Sequence, residues 1–177
     1  MWHSQLVRRA LLPALGLGLA LLALAPAPAR AYDRQLGLSL ELGYAVLPSG
    51  PLPPHGAYAE IGAALGLDDV WEIRVRAGYA FHPEPMHRWV YGAEIVYLVD
   101  IFEVVPFLGL GVAGITTFQD PTLTADFAVD GVFGLDVMLS REITLGVIVR
   151  PNVVLTALDT SPVWLEAGAR LQGLFPL

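Results

Sequence analysis

Three histidines and one glutamate are the residues of this chain best suited to binding a metal ion, because imidazole nitrogens and carboxylate oxygens are common metal ligands. His55, His82, His87 and Glu84 lie in or beside two proline-containing stretches that are predicted to be loops. Their spacing matches no standard zinc motif. The pattern favours solvated loop histidines, so no metal and no other cofactor is predicted.

A glycine motif near the middle of the chain could in principle bind a nucleotide. Gly109, Gly111 and Gly114 have the spacing G-x-G-x-x-G, which cradles a dinucleotide when a strand precedes it and a helix follows it. The stretch that follows, ITTFQDP, does not read as a helix. Small residues that leave room on one face of a strand are the favoured interpretation.

Charged side chains recur at every second position, most clearly in WEIRVRAGYAFH, from Trp71 to His82. Glu72, Arg74 and Arg76 fall on one side of this stretch, and the opposite side is wholly apolar. A period of two predicts a β-strand with two unlike faces. Acids and arginines on one shared face could form a network of ion pairs away from water.

The same alternation occurs in eight stretches, so the sequence predicts an all-β protein, an eight-stranded antiparallel up-and-down transmembrane β-barrel. The predicted strands are 36–47, 57–67, 71–82, 88–99, 102–117, 126–139, 142–154 and 163–175. Long loops are predicted at 48–56, 82–88, 117–126 and 155–162, with short turns between the other strands. Pro106 lies inside the fifth strand and predicts a bulge there, because proline removes one ladder hydrogen bond.

Every charge within these strands falls on one face, which is predicted to line the lumen. The predicted ionic network comprises Glu41, Glu60, Glu72, Arg74, Arg76, Glu94, Asp130, Asp136, Arg150, Glu166 and Arg170. A basic side chain that faces lipid at the midplane costs about 2–4 kcal/mol, so a bilayer would favour this segregation. Facing residues on neighbouring strands lie within ~5 Å, so Arg74 and Glu94 are predicted to pair if the registers agree.

Aromatic residues on the apolar face cluster near the strand ends. The side of the long loops has Tyr44, Tyr79, Phe81, Trp89, Tyr91 and Phe127, and the side of the short turns has Trp71, Tyr97, Phe102 and Phe175. Two aromatic belts on one apolar surface are typical of membrane barrels.

The first 31 residues have the three parts of a secretory signal peptide: a basic start, an apolar run and an A-x-A site ending at Ala31. Their removal takes away three of the ten basic residues and none of the 17 acids, which leaves a net charge of −10 for residues 32–177. This charge and the lack of lysine exclude a basic patch for nucleic acid. The chain has no cysteine, so disulfides and a lipid-modified N-terminal cysteine are excluded.

The chain is 55% hydrophobic, yet its charge-free run Val104–Gln119 is shorter than a membrane-spanning helix and contains Pro106. High hydrophobicity without such a helix favours the other architecture that crosses membranes, the closed β-barrel.

From Tyr32 to Leu177, the eight alternating strands and the long and short connections resemble the small outer-membrane barrels of the OmpA transmembrane-domain and OmpX type. The resemblance implies one barrel domain after the signal peptide, located in the outer membrane of a diderm bacterium. Its implied partners are outer-membrane lipids and the barrel assembly machinery. That machinery reads a C-terminal aromatic residue in the family, whereas Phe175 lies third from the end of this chain.

The predicted function is a structural or surface-interaction role with the outer loops as the contact surface, and no catalytic residue is assigned. Some small barrels act on outer-leaflet lipids with a histidine and a serine at the outer rim, where Ser49, Ser161 and Asp159 are also predicted to lie. A lipid-modifying enzyme is therefore one alternative. The others are a narrow channel and a soluble, lipocalin-like barrel in which the two faces are inverted. The sequence does not identify a surface ligand.

Overall fold

The computed structural model describes residues 34–47, 55–83, 86–99, 104–119, 121–159 and 163–177, and these form a closed barrel. Its strands are β1 (Gln35–Val46), β2 (His55–Gly66), β3 (Trp71–Phe81), β4 (Met86–Leu98), β5 (Val104–Gln119), β6 (Thr122–Met138), β7 (Ile143–Val154) and β8 (Val163–Pro176). Each strand is antiparallel to its chain neighbours, and β1 pairs with β8. The predicted eight-stranded up-and-down barrel is confirmed. The predicted signal peptide lies outside the described residues.

The register around the barrel sets the tilt of the strands. Following outward-facing partners once around the barrel from Leu36 leads to Val46, ten positions along the same strand. A stagger of this size in eight strands tilts them by roughly 35–45° from the barrel axis. The tilt shortens the height that each strand covers and brings inward side chains of distant strands to one level.

The two faces of the wall differ as the alternation predicts. Large apolar side chains on the outer face are exposed on every strand, for example Leu40 on β1, Ile61 on β2 and Leu145 on β7. The charged positions between them are buried. The soluble, lipocalin-like interpretation is therefore wrong, because it requires the apolar face inside and the charged face outside.

Pro106 and Pro151 lie in the interior of β5 and β7, and the bulge predicted at Pro106 is absent. No bulge occurs at Pro106, because the β5–β6 register runs through Pro106 and Leu135 without a shift. The Pro106 carbonyl accepts a hydrogen bond from Val99 N at 2.8 Å, so its missing N–H points toward the end of β4, where the ladder stops. The ladder is instead interrupted beside Pro151, where the β6–β7 pairing skips two positions and resumes in the same register.

The connections differ in length from those predicted. At one end of the barrel, here called the loop end, 47–54 and 155–162 span eight residues, whereas 82–85 and 120–121 are short. The predicted loop 117–126 is wrong, since β5 and β6 continue into a hairpin that Thr122 Oγ1 closes by donating to the Gln119 carbonyl. The predicted loop 82–88 is also shorter, because β4 begins at Met86. The other end, the turn end, has connections 67–70, 99–103 and 139–142.

Within the described residues, no helix is long and apolar enough to cross a membrane.

Candidate functional site: a charged lumen between two apolar clusters

Inward side chains divide the lumen into layers along the barrel axis. All eleven residues of the predicted ionic network are at most 6% exposed. Seven of them form a central layer: Glu41, Glu60, Arg76, Glu94, Asp130, Arg150 and Glu166. The other four, Glu72, Arg74, Asp136 and Arg170, lie toward the turn end. Seven carboxylates share four guanidinium groups in this set, so each arginine of the central layer contacts several acids.

Arg76 on β3 contacts carboxylates from four other strands. Its Nη1 lies 2.8 Å from Glu60 Oε2 and 3.4 Å from Glu166 Oε2. Its Nε lies 3.0 Å from Glu94 Oε1, and its Nη2 lies 3.5 Å from Asp130 Oδ2. The planar guanidinium has five N–H donors, so one side chain can bridge β2, β4, β6 and β8.

Arg150 on β7 reaches the same group of acids from the opposite wall. Its Nε lies 2.6 Å from Glu94 Oε1, and its Nη1 lies 3.2 Å from both Glu41 and Glu60 and 3.7 Å from Glu166. Glu60, Glu94 and Glu166 are therefore shared by two guanidinium groups. Sharing of this kind offsets the desolvation of the buried carboxylates, which unpaired would cost several kcal/mol each.

Glycine at position 111 allows two of the acids to approach each other across β5. Glu94, Gly111 and Asp130 are register partners on β4, β5 and β6. A Cβ at Gly111 would lie 2.7 Å from Glu94 Cγ and 2.9 Å from Asp130 Oδ2. The glycine motif noted in the sequence thus makes space for the central layer, and β5 continues as a strand to Gln119 rather than opening a helix.

Toward the turn end, two arginines stack on one aromatic ring. The guanidinium of Arg74 lies 4.3 Å from the centre of the Phe107 ring, and that of Arg170 lies 5.6 Å from it. Arg74 Nε donates to Glu72 at 2.8 Å, and Arg170 Nη1 donates to Asp136 at 2.9 Å. Arg74 and Glu94 are register partners but form no ion pair, because Arg74 turns to Glu72 and Phe107. The predicted pair is therefore wrong.

Apolar side chains form a buried cluster inside the barrel on each side of the central layer. The turn-end cluster comprises Val96, Leu98, Val105, Phe107, Val132, Ile148 and Leu174. The loop-end cluster comprises Ala45, Tyr58, Ala80, Val90, Ala113, Ile115, Ala128, Val154 and Trp164. Trp164 is fully buried and reaches from β8 to Arg88 on β4, whose guanidinium lies 4.5 Å from a Trp164 ring centre. Each cluster thus holds an aromatic ring that packs against arginine.

The belt residues that the structure describes lie on the outer face. Tyr44, Phe81, Trp89, Tyr91 and Phe127 at the loop end and Trp71, Tyr97 and Phe175 at the turn end are exposed. Tyr79 is partly buried because Phe81 and Trp89 pack on it, with ring centres at 4.5 and 5.1 Å. Trp71 and Tyr97 pack edge to face at 5.1 Å. Phe102 lies outside the described residues.

Three lumen-facing residues that make contacts across the barrel were not among the predicted site residues: Arg88, Phe107 and Trp164. Phe107 and Trp164 alternate in phase with the charged positions, so the period of two already placed them on the inner face. Arg88 is inward by the same phase, although it was assigned to a loop boundary. The alternation gives the face on which each of these residues lies, but it does not give the contacts that they make across the lumen.

The three histidines lie at the loop end of the barrel. Nδ1 of His82 donates to the carbonyl of His55 at 3.0 Å, and the His87 ring stacks on Tyr79 with centres 5.7 Å apart. In the described part of the chain, no group of three or more His, Cys, Asp or Glu could hold a metal ion.

No protein-family model matches the chain, and no curated protein matches its sequence. Solved structures do match. Neisserial surface protein A is 15% identical with a TM-score of 0.64, over 80% of this chain and 96% of that one. The N-terminal β-barrel domain of OprF from Pseudomonas aeruginosa is 13% identical with a TM-score of 0.63, over 81% and 98%.

The chain has the fold of the small eight-stranded outer-membrane barrels. That fold also occurs in an enzyme: the outer-membrane enzyme PagL is 12% identical with a TM-score of 0.50, over 80% of this chain and 99% of that one. At these identities the likeness concerns the fold, and the fold alone does not distinguish an enzyme from a structural protein.

Proposed function

We propose that this protein is an integral barrel of the bacterial outer membrane with a closed, charged lumen and a structural or surface-interaction role. The observation that carries the proposal is the inverted surface of the barrel. Exposed apolar side chains cover the wall between two aromatic belts, whereas the ionic network is buried. Such an apolar band is unfavourable in water and favourable in hydrocarbon.

The layered lumen supports a structural role rather than transport. Eight strands leave room for side chains and little else. Here the central layer is filled by mutually contacting acids and arginines, and an apolar cluster lies on either side of it. We infer that the ionic network fixes the cross-section of the barrel and that the clusters keep the lumen from conducting ions.

The loop end is the surface that we propose for outside contacts. The β5–β6 hairpin extends beyond the β6–β7 pairing, which begins at Ala128, so residues 122–125 are exposed. The connections 47–54 and 155–162 share this end. Loops held on a rigid barrel can vary and bind partners without loss of the scaffold. We also propose that this end binds a surface ligand and that the protein interacts with the barrel assembly machinery.

The location and orientation can be tested in a diderm bacterium that expresses the full chain. Epitope tags are inserted after Pro121 in the β5–β6 hairpin and, as the matched control, after Asp69 in the β2–β3 turn. We expect a heat-modifiable band in the outer-membrane fraction and surface labelling of intact cells for the Pro121 tag only. Labelling of the Asp69 tag alone would show that the orientation is opposite to the proposed one. Recovery of the protein in the soluble periplasmic fraction would refute the membrane location.

A lipid-modifying enzyme is the second candidate, because PagL has the same fold. His55, His82 and His87 lie at the loop end, while Ser49 and Ser161 lie outside the described residues. Mass spectra of lipid A from cells with and without the protein would separate the candidates. A change in acylation that His55→Ala, His82→Ala or His87→Ala abolishes would establish the enzyme; identical spectra support the structural role.

A further inference from the structure

Acids outnumber arginines in the central layer of the lumen. Five carboxylates and two guanidinium groups meet there: Glu41, Glu60, Glu94, Asp130, Glu166, Arg76 and Arg150. All of these side chains are buried. Like charges in one buried site oppose each other's ionisation, and an unpaired buried charge is expensive. If every acid is ionised, the layer therefore has more negative charge than its two arginines neutralise.

Asp130 on β6 is the acid of this layer with the fewest partners. Each of the other four acids contacts two arginines, whereas Asp130 contacts one, with Arg76 Nη2 3.5 Å from its Oδ2. No described residue donates a hydrogen bond to either carboxyl oxygen of Asp130. Its register partners, Gly111 on β5 and Asn152 on β7, are uncharged. Asp130 is also fully buried, so bulk water does not stabilise its charge.

A second acid lies beside Asp130. Glu94 is its neighbour across Gly111, which leaves space for the two side chains to meet. The two carboxyl groups lie within hydrogen-bonding distance of each other. Both arginine contacts of Glu94 use its Oε1, and no described residue donates a hydrogen bond to its Oε2. Because an ionised carboxylate is only an acceptor, this contact is favourable only if one of the two groups carries a proton.

The arginine contacts indicate which of the two acids carries the proton. Glu94 Oε1 lies 2.6 Å from Arg150 Nε and 3.0 Å from Arg76 Nε, so two guanidinium groups stabilise its ionised form. Asp130 has only the contact at 3.5 Å, so its neutralisation loses less Coulomb attraction. A protonated Asp130 can donate its O–H to Glu94, which gives both groups a hydrogen-bond partner. The same proton reduces the excess of negative charge in the layer.

We propose that the central layer contains a proton-binding site, in which Asp130 is protonated at neutral pH and donates a hydrogen bond to the ionised Glu94. Charged side chains face this site from five further strands: Glu41, Glu60, Arg76, Arg150 and Glu166. Alkaline conditions remove the proton and leave two negative charges side by side across Gly111, which weakens the layer. This site does not depend on the role of the loop end, because it lies wholly within the lumen.

Infrared spectroscopy of the folded barrel detects the proton directly. The protein is folded in a detergent without ester groups, because ester carbonyls absorb in the same region as a carboxylic acid. At neutral pH we expect wild type to show the C=O band of a carboxylic acid, and labelling of aspartate with heavy carbon at the side-chain carboxyl should shift this band. Asp130→Asn should abolish it. Asp136→Asn is the matched control and should retain it, because Asp136 Oδ2 accepts a hydrogen bond from Arg170 at 2.9 Å.

Urea unfolding in the same detergent tests the dependence on pH. An unfolded aspartate is ionised at neutral pH, whereas Asp130 in the folded barrel holds its proton. The folded state then binds more protons than the unfolded state, so its stability falls as the pH rises. Asparagine keeps a donor for Glu94 and has no proton to lose. Asp130→Asn should therefore have a higher urea midpoint than wild type at neutral pH, with a difference that grows at alkaline pH. Asp136→Asn should have a lower midpoint at both.

The infrared measurement on wild type needs no variant, so it decides the proposal even if a variant fails to fold. Absence of the carboxylic acid band from folded wild type at neutral pH would overturn the proposal. A band that aspartate labelling leaves unchanged would place the proton on a glutamate and refute the assignment to Asp130. A lower urea midpoint for Asp130→Asn than for wild type would also overturn it, since an ionised Asp130 would then stabilise the layer through Arg76. Heat-modifiable mobility, measured on every sample, shows that the barrel is folded.

Discussion

Arg150 of β7 forms an ion pair with Glu94 of β4, with Nε and Oε1 2.6 Å apart. The two strands are not neighbours in the barrel, so this contact joins opposite parts of the wall through the lumen. Arg76, on the strand next to β4, contacts the same Oε1 atom at 3.0 Å. Glu94 is therefore held by two arginines that approach it from different directions.

The first prediction concerns Arg150. Replacing it by alanine leaves Glu41, Glu60, Glu94 and Glu166 with fewer cationic partners in a buried layer. Removing one partner of a buried pair costs on the order of 3–5 kcal/mol, and several acids are affected at once here. We expect Arg150→Ala to lower the free energy of unfolding by at least this amount, measured by urea unfolding in lipid vesicles.

Two further variants show whether charge is the cause. Arg141→Ala, at an exposed position in the β6–β7 turn, should change stability by less than about 0.5 kcal/mol. Glu94→Gln combined with Arg150→Ala should recover part of the loss, because the double variant leaves one fewer buried carboxylate for the remaining arginine, Arg76, to neutralise in the central layer. No recovery would mean that Arg150 acts through its packing volume rather than its charge.

The second prediction compares two arginine–acid pairs by double-mutant cycles. Arg170 and Asp136 are hydrogen bonded at 2.9 Å, so Arg170→Ala and Asp136→Asn should couple by roughly 1–3 kcal/mol. Arg74 and Glu94 face each other in register without a direct ion pair, so Arg74→Ala and Glu94→Gln should couple more weakly than the first pair. Strong coupling in the second cycle would contradict the arrangement in which Arg74 turns to Glu72.

The Arg74 example shows which part of the site could be read from the sequence. The period of two gives the face of each residue, and it assigned all eleven charges to one side. It does not give the register or the direction of a long side chain, so the neighbour of Arg74 was assigned by strand order alone. Contacts across the lumen, such as that of Arg150 with Glu94, depend on the barrel diameter and tilt, which local patterning does not contain.

The connections show a related limit for the fold. Residues 117–126 contain Asp, Thr and Pro and were predicted as a loop, although most of them extend β5 and β6. Turn-forming residues indicate where the chain reverses its direction. The pairing of the flanking strands decides how many residues the turn contains. Pro106 illustrates the same point, because its missing donor points to the end of a neighbouring strand and costs no interior hydrogen bond.

The third prediction concerns depth in the membrane. Val75 is half exposed on the outer face between the aromatic belts, and Leu123 is exposed in the β5–β6 hairpin beyond the belt residue Phe127. Val75→Arg should destabilise the barrel by about 2–4 kcal/mol, whereas Leu123→Arg should cost about 0–1 kcal/mol. Folding yields into vesicles, read as heat-modifiable bands, give the comparison. Equal destabilisation by arginine at the two positions would contradict the proposed hydrocarbon band.

The last prediction concerns the closure of the lumen. Trp164 and Phe107 are the largest aromatic side chains of the loop-end and turn-end clusters, and both are buried. Removal of either ring alone would still leave the other apolar cluster across the lumen. An apolar constriction opposes the passage of ions. Wild type and the single variants Trp164→Ala and Phe107→Ala are therefore expected to show no steady current in planar bilayers.

The double variant Trp164→Ala/Phe107→Ala removes both rings and should conduct. Its current should favour cations, because the ionic network has seven carboxylates and four guanidinium groups. Trp89→Ala/Trp71→Ala, which removes two aromatic rings from the outer belts, is the matched control and should stay closed. Single-channel recordings at low ionic strength would show the difference most clearly, since salt screens the acids. Currents in the wild type would refute a closed lumen, and a silent but folded double variant would mean that the charged layer alone blocks the path.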